Sequence, residues 1–507
     1  MNGPKNESIS FKHYQHLIGG KWVDSNTDER IDLLDPATEG QIGTIPVGVA
    51  ADVGQAVEAA QKAFTESGWA SMGWRERSRL LRKVGETMMR RRDEIALAET
   101  IDQGRPLRQS QGMMVPLAAG AWEFFAGALM TFTGESAHPE PWASGYTLKQ
   151  PIGVVGCITP GNVPLVLGSE KLAPALAAGN CVILKPPPEC PISSVLLVDC
   201  MVEAGVPAGV INLVLGDGAT VGRAMAEHPG IGMIAFTGST NTGKQIMVQA
   251  ASNVKRLLLE LGGKAPQVVF EDADVDGAVE GAMWGAYLNG GQICMAVTRI
   301  LVHESIFESF AEKFVEKTKK LRIGPGVEPT TDLGPMVSVR IRDRVNNYIQ
   351  EGQKDGAKVL LGGGEGLNGD LFSKGYWVQP TIFSDVTPDM SIVREEIFGP
   401  VPILQKFSNI EQAVEMANDT PFGLTGSVWT NNLQTALTMA EKVRAGYVWI
   451  NDHLIRATGF PFGGWQQSGF GREAASQTLD EFSNTKSIYF DRTGLVRKPR
   501  YNLLYPG

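Results

Sequence analysis

The stretch from Pro151 to Glu189, PIGVVGCITPGNVPLVLGSEKLAPALAAGNCVILKPPPE, sets an apolar run, a helical pattern and a second apolar run one after another. GVVGCI and CVILK read as short strands, and LGSEKLAPALAAG between them reads as a helix. The alternation continues through SSVLLVDCMVEAG, INLVLG and MIAFTG. Short apolar strands alternating with helices predict a parallel sheet covered on both faces. After Glu260 the same pattern resumes with APQVVF, a helix through VDGAVEGAMWGAYL, the strand AVTRILVH and the helix SIFESFAEKFVEKTKKL. This predicts a second α/β domain.

Upstream, Ala51 to about Gln103 is helical in pattern, with apolar residues at three- and four-residue spacing and a basic RRRD that reads as a solvated face. GESAHPEPWASGYTLKQPIG, punctuated by Pro and Gly, predicts an extended hairpin projecting from the body. Near the C-terminus SIYFDRTGLVRKPRYNLLYP is also extended and apolar, so these two segments are expected to form an oligomerisation flap. No internal repeat or low-complexity tract interrupts the chain.

With 507 residues the chain exceeds one core and predicts about two or three domains. Hydrophobic content of 43% and charged content of 20% describe an ordinary globular protein. A net charge of −9 supplies no basic field for phosphates, which argues against nucleic acid and for small molecules as partners. The N-terminal residues show no secretory pattern, and no later stretch reaches ~18 uncharged apolar residues, so no membrane partner is expected. The expected location is cytoplasmic. Cys157, Cys181, Cys190, Cys200 and Cys294 are odd in number and lack C-x-x-C spacing, which suits free thiols in a reducing compartment.

Two metal-like patterns fail. DADVDG, from Asp272 to Gly277, opens like a calcium loop, but the position of the closing bidentate Glu is Met283. It reads instead as a strand-to-helix loop with an N-cap. His13 and His16 have no matching ligands and read as surface histidines, so no metal is expected.

Other segments carry chemistry. FTGSTNTGK, Phe236 to Lys244, follows a strand and opens a helix, where glycines permit close backbone approach and amides attract a phosphate. A plain turn fits that segment as well. Lys185 ends a strand, the place where a doubly wound sheet puts its ligands. Glu260, in LLLELGGKAP, is an acid among apolar neighbours before a Gly-Gly turn, suited either to a general base of raised pKa or to a paired, capping role. Cys294, in LNGGQICMAVTRI, follows glycines that stop a helix. Alone it reads as a buried structural thiol as readily as a nucleophile.

Taken in order, FTGST, LELGGK, GQIC, EEIFGP and PFGGWQQSGFGRE resemble the aldehyde dehydrogenase superfamily across nearly the whole chain. The resemblance implies an α/β fold with a Rossmann-like cofactor domain (residues 1–130 and 150–262), an α/β catalytic domain (263–470) and a small β oligomerisation flap (131–149 and 483–507). It implies oxidation of an aldehyde to the carboxylic acid by NAD(P)+, without acylation of coenzyme A. Cys294 would be the nucleophile, Asn162 the oxyanion donor, Glu260 the general base, and Lys171 and Glu473 the proton relay. Ile158, Thr159, Pro160, Lys185, Phe236, Gly238, Ser239, Leu261, Glu396 and Phe398 would contact the cofactor. Val163, Glu170, Leu288, Arg456 and Phe462 would face the substrate.

Two departures stand out. Gly161 replaces a Trp common before the oxyanion asparagine, and Pro188 stands where many NAD-preferring members carry Glu, with Glu189 one residue later. NAD is the expected cofactor, with NADP left open. Glu170 and Arg456 either pair, giving a polar pocket of little net charge, or one of them selects a charged substrate. The expected substrate is a small polar or aromatic aldehyde, and the expected assembly a homodimer or homotetramer. The rivals are a coenzyme A-acylating semialdehyde dehydrogenase, disfavoured by Glu260, and a non-catalytic scaffold of the same fold.

Overall fold

The computed structural model describes residues 11–364, 366–494 and 498–504. Residues 1–10 of the expected cofactor domain, and 495–497 and 505–507 of the expected flap, lie outside the described residues.

Two α/β sheets carry the molecule. The first has eight strands, in the order Gly469–Phe470, Arg256–Glu260, Met233–Thr237, Val154–Ile158, Cys181–Lys185, Ile211–Leu213, His16–Ile18 and Lys21–Val23. Its five central strands are parallel and wholly or largely buried, as expected for strands covered by helices on both faces. The edges are antiparallel. Gly469–Phe470 falls in the stretch expected for the catalytic domain, yet it pairs Phe470 with Leu259 and Gly469 with Glu260 in the first sheet. That return covers what would otherwise be an open edge beside Glu260.

The second sheet runs Lys358–Leu361, Ile382–Ser384, Ile403–Phe407, Val297–His303, Ala265–Val269, Thr425–Trp429 and Tyr447–Ile450. All its pairings are parallel except that of Lys358–Leu361 at the edge. A third sheet joins Ser136–Glu140, Ala143–Pro151 and Ser483–Asp491, the last two in unbroken antiparallel register from Ala143↔Asp491 to Pro151↔Ser483. Beyond it the chain is not extended throughout as expected, because Pro499–Leu503 forms a 3-10 turn that opens on the proline.

Two local readings are refined here. Asp274 caps the helix Val275–Tyr287 by accepting from the Asp276 amide, while Asp272 holds Thr430 and Asn431, so these acids serve the loop. His16 is not a surface residue. It is fully buried, its Nδ1 accepts from the Leu215 amide, and its Nε2 lies 3.4 Å from Asp52, because its strand is inserted beside Ile211–Leu213.

Candidate active site

Neighbouring strands of the first sheet bring the expected residues to one edge. The register sets Ile158 against Lys185, Phe236 against Ile158 and Thr237 against Glu260, so the carboxyl ends of four strands stand in line. From Val154–Ile158 the chain moves outward through Cys181–Lys185 and Ile211–Leu213, then crosses back to Met233–Thr237 and Arg256–Glu260 on the other side. A crevice opens where strand order reverses, and doubly wound sheets bind ligands there. In this chain it is a cleft of about 780 Å³. Its walls include Ile158, Thr159, Pro160, Asn162, Lys185, Phe236, Gly238, Ser239, Leu261, Glu396 and Phe398, and also Cys294.

Cys294 reaches the cleft because the helix Val275–Tyr287 stops abruptly. Asn289, Gly290 and Gly291 all take left-handed backbone, with φ of 54°, 65° and 72°. The two glycines of LELGGK have another task than the expected turn, since neither takes that conformation. A Cβ on Gly262 would stand 2.6 Å from the Glu396 carboxylate, and one on Gly263 would stand 2.4 Å from the Cys294 carbonyl. Their bareness is what lets Glu396 and the loop that carries Cys294 close on the end of the strand Arg256–Glu260. The Gly263 amide also donates to Glu396 Oε1 at 3.1 Å.

Electrostatics at this point favour neutral groups. Burial, then the nearby Glu396 and Glu260 carboxyls, push the Cys294 thiol up to about 12, and Arg456 offsets part of this. Burial and the neighbouring Glu473 hold Glu260 well above the usual carboxylate range, against Lys171. Neither Glu260 oxygen has a protein hydrogen-bond partner. A buried acid without partners is poised to exchange a proton with whatever enters.

Behind the cleft lie two buried ion pairs. The helix Pro164–Ala177 is buried along its whole length, so the charges it carries need partners. Lys171 Nζ donates to Glu473 Oε1 at 2.6 Å, both side chains fully buried, and Glu473 exchanges backbone hydrogen bonds with Phe462. Arg456 donates to Glu170 and lies 4.8 Å over the Phe462 ring. The open question about Glu170 and Arg456 is thus resolved as a pair. Phe462 shares an apolar cluster with Cys294, Met295, Leu424 and Tyr447, and Leu288 shares another with Met113, Ile293, Met295 and Leu454. Val163 packs against the core of the first sheet and belongs to neither cluster.

Arg105 escaped the sequence reading, and Asn289 was read only as part of the helix stop. Arg105, fully buried, donates from Nη2 to the Asn162 carbonyl and from Nε to Asn289 Oδ1 at 3.0 Å, while its Nη1 lies 3.5 Å from Glu99. Asn289 Nδ2 donates to the same Asn162 carbonyl at 3.0 Å. Two side chains thus fix the Asn162 backbone. His453 Nε2 donates to the Met295 carbonyl at 2.7 Å, one residue after Cys294, and burial lowers its pKa to about 4, so it is neutral. Nothing local marked Arg105, which follows a helix-ending Gly104 at φ 93°.

Comparison with known proteins decides the lineage. Residues 22–488 match the aldehyde dehydrogenase family. The chain belongs to the aldehyde dehydrogenase family. It is 39% identical to betaine aldehyde dehydrogenase of Bacillus subtilis (strain 168), over 93% of this chain and 96% of that one. The NAD-dependent aldehyde dehydrogenase structure from Sinorhizobium meliloti superposes with a TM-score of 0.94 at 38% identity, covering 98% of each chain. The NAD+ complex of the Bacillus cereus aldehyde dehydrogenase gives 0.92 at 39% identity, covering 94% of this chain and 96% of that one. The protein is therefore an oxidoreductase of the family that oxidises aldehydes.

The aldehyde dehydrogenase's cleft has the features that fit a dinucleotide. Thr159 Oγ1, Asn162 Oδ1 and Thr237 Oγ1 are buried in the walls without protein partners. A Cβ on Gly238 would stand 2.3 Å from the Phe236 ring, and Ser239 caps the helix Thr240–Ala250 by accepting from the Thr242 amide. That helix end suits a diphosphate. Arg344 holds the Glu396 carbonyl, which fixes the carboxylate across the cleft.

Proposed function

We propose that Cys294 is the nucleophile of the oxidation. Its sulfur adds to the aldehyde carbon as the thiol proton leaves, giving a thiohemiacetal. The Asn162 side-chain amide and the Cys294 backbone N–H hold the oxyanion, since donors placed where charge develops lower the barrier. Bound NAD supplies the acceptor for the hydride that leaves the same carbon. Glu260 then takes a proton from water as the water oxygen attacks the thioester carbonyl. The C–S bond breaks, Cys294 is restored and the carboxylic acid leaves, with Lys171 and Glu473 passing the proton outward. Lys185 is assigned to the adenosine ribose, Phe236, Gly238 and Ser239 to the adenine and diphosphate, and Glu396 with Phe398 to the nicotinamide ribose.

The observation that carries this reading is that Cys294 and Asn162 line one cleft while Glu260, buried and unpartnered, acts on the thiol from the end of an adjoining strand. NADH absorbance under a panel of aliphatic, aromatic, amino and acidic aldehydes tests it, beside Cys294→Ala. Turnover that survives in the alanine variant overturns it.

The substrate we assign is a small polar or aromatic aldehyde. The Glu170–Arg456 pair cancels its own charge against the Phe462 ring, which supports a polar wall without a selecting charge. A preference for long unbranched alkanals sinks this assignment. Assembly into dimers or tetramers is supported by Trp142, Tyr146, Leu148, Tyr489 and Phe490, exposed on the three-stranded sheet, and light scattering checks it. Five free thiols support a cytoplasmic location, which cell fractionation tests.

A further inference from the structure

Cys294 occupies the turn 293–296, which the Ala296 amide closes by donating to the Ile293 carbonyl at 2.9 Å. On one side the bare Gly263 lies against the Cys294 carbonyl, and on the other His453 Nε2 donates to the Met295 carbonyl at 2.7 Å. The imidazole is neutral and a carbonyl only accepts, so Nε2 carries the proton.

His453 is held for this contact. Its ring is fully buried, packs 4.7 Å from the Trp449 ring, and would lie 3.0 Å at Cδ2 from a Cβ on Gly285 of the helix Val275–Tyr287. Trp449 Nε1 donates to the Ile455 carbonyl at 2.7 Å, which closes the loop that carries the histidine. Leu454 takes φ of 64°, uncommon for so bulky a side chain, so contacts rather than local preference fix this loop.

The hydrogen bonds form a chain. Resonance joins each carbonyl to the N–H of the next residue, so a bond accepted by one strengthens donation by the other. His453 donates to the Met295 carbonyl, the Ala296 N–H of that peptide unit donates to the Ile293 carbonyl, and the N–H of that second unit belongs to Cys294. Ile293, Ala296 and His453 are buried, so water does not compete for these bonds. We propose that His453 is a positioning residue for the oxidation, aiming and polarising the Cys294 backbone N–H through two peptide units. The inference rests on that N–H holding the oxyanion. His453 neither gives nor takes a proton in this role.

Single-turnover NADH formation, with enzyme in excess over benzaldehyde or glycolaldehyde and NAD saturating, reads the step that forms the oxyanion apart from hydrolysis. His453→Phe keeps a ring beside Trp449 and removes the donor; it is expected to slow this step roughly tenfold, a fraction of the loss when an oxyanion donor is removed outright. His453→Leu, smaller and also without a donor, is measured beside it, and thermal melting checks folding. Alkylation of Cys294 by iodoacetamide, which needs the thiolate and no oxyanion, is expected to stay within about twofold, as is the NADH dissociation constant. His453→Gln, whose amide reaches the place of Nε2, is expected to restore the rate to within about threefold. An unchanged rate in a folded variant without the donor overturns the inference. So does an equal fall in rate, alkylation and NADH affinity, or a glutamine variant as slow as the phenylalanine one. NADH formation that persists in Cys294→Ala, or none from either aldehyde in the unmodified enzyme, overturns the reading of Cys294 itself.

Discussion

Cys294 rests as a thiol because its surroundings reject a second negative charge. Burial and the Glu396 and Glu260 carboxyls raise it to about 12, and Glu260 is itself raised by burial and by Glu473. Cys294 therefore holds its proton near neutrality and, in the proposed mechanism, must release it in turnover. The rate at saturating NAD is therefore expected to rise as pH is raised above neutrality, as measured by NADH production. Glu260→Gln is expected to slow hydrolysis by ~10²–10⁴-fold while leaving a pre-steady-state burst of NADH, and loss of the burst as well would place Glu260 in the first step. A second effect belongs to Asn289, which shares the Asn162 carbonyl with Arg105 and accepts from Arg105 Nε. Asn289→Ala removes one donor and strands another, so kcat is expected to fall by ~10–100-fold with the NADH dissociation constant little changed. An equal loss in both would assign Asn289 to folding alone.

At the scale of elements, the site is made of strand ends and of the bare glycines beside them. The spacing in PFGGWQQSGFGRE follows from contacts: a Cβ on Gly463 would stand 2.9 Å from Glu260 Oε1, one on Gly464 2.4 Å from the Ser468 carbonyl, and one on Gly469 1.9 Å from the Leu259 carbonyl. These are approaches to fixed backbone or to the buried Glu260 carboxyl, so a methyl is not readily absorbed by a rotamer change. Gly263→Ala, whose Cβ meets the Cys294 carbonyl, is expected to cost about 1–3 kcal/mol of stability and most of the activity, read by denaturant melting and NADH production. Normal activity in a stably folded Gly263→Ala protein would show that the nucleophile loop has more slack than this packing allows.

Across the whole molecule, buried polar contacts tie distant segments of the chain together. His453 links the loop after the strand Tyr447–Ile450 to Met295, and its pKa of about 4 lies below the ordinary 6.5. The folded state therefore refuses a proton that the unfolded chain accepts. Its contribution is full above about pH 6.5 and is lost as pH falls toward about 4, by about 3 kcal/mol. Buried carboxyls such as Asp102, whose pKa burial raises, act in the opposite sense. The difference between the parent and His453→Gln isolates the histidine, and the variant's Tm is expected to fall less steeply in acid. An identical acid slope in both proteins would remove His453 from the account. Strand alternation, the halted helix before Cys294 and the order of the glycine motifs were legible along the chain, because each is a local pattern of volume, polarity and backbone freedom. They determined an α/β fold of this family and named Cys294 and the residues of the cleft as candidates by position. Only the tertiary structure decided that Glu170 pairs with Arg456, that His16 is interior, that Arg105 and Asn289 hold Asn162, and that His453 meets Met295. Those contacts join residues far apart in the chain and depend on which strand ends the fold sets side by side, a relation that no local pattern encodes.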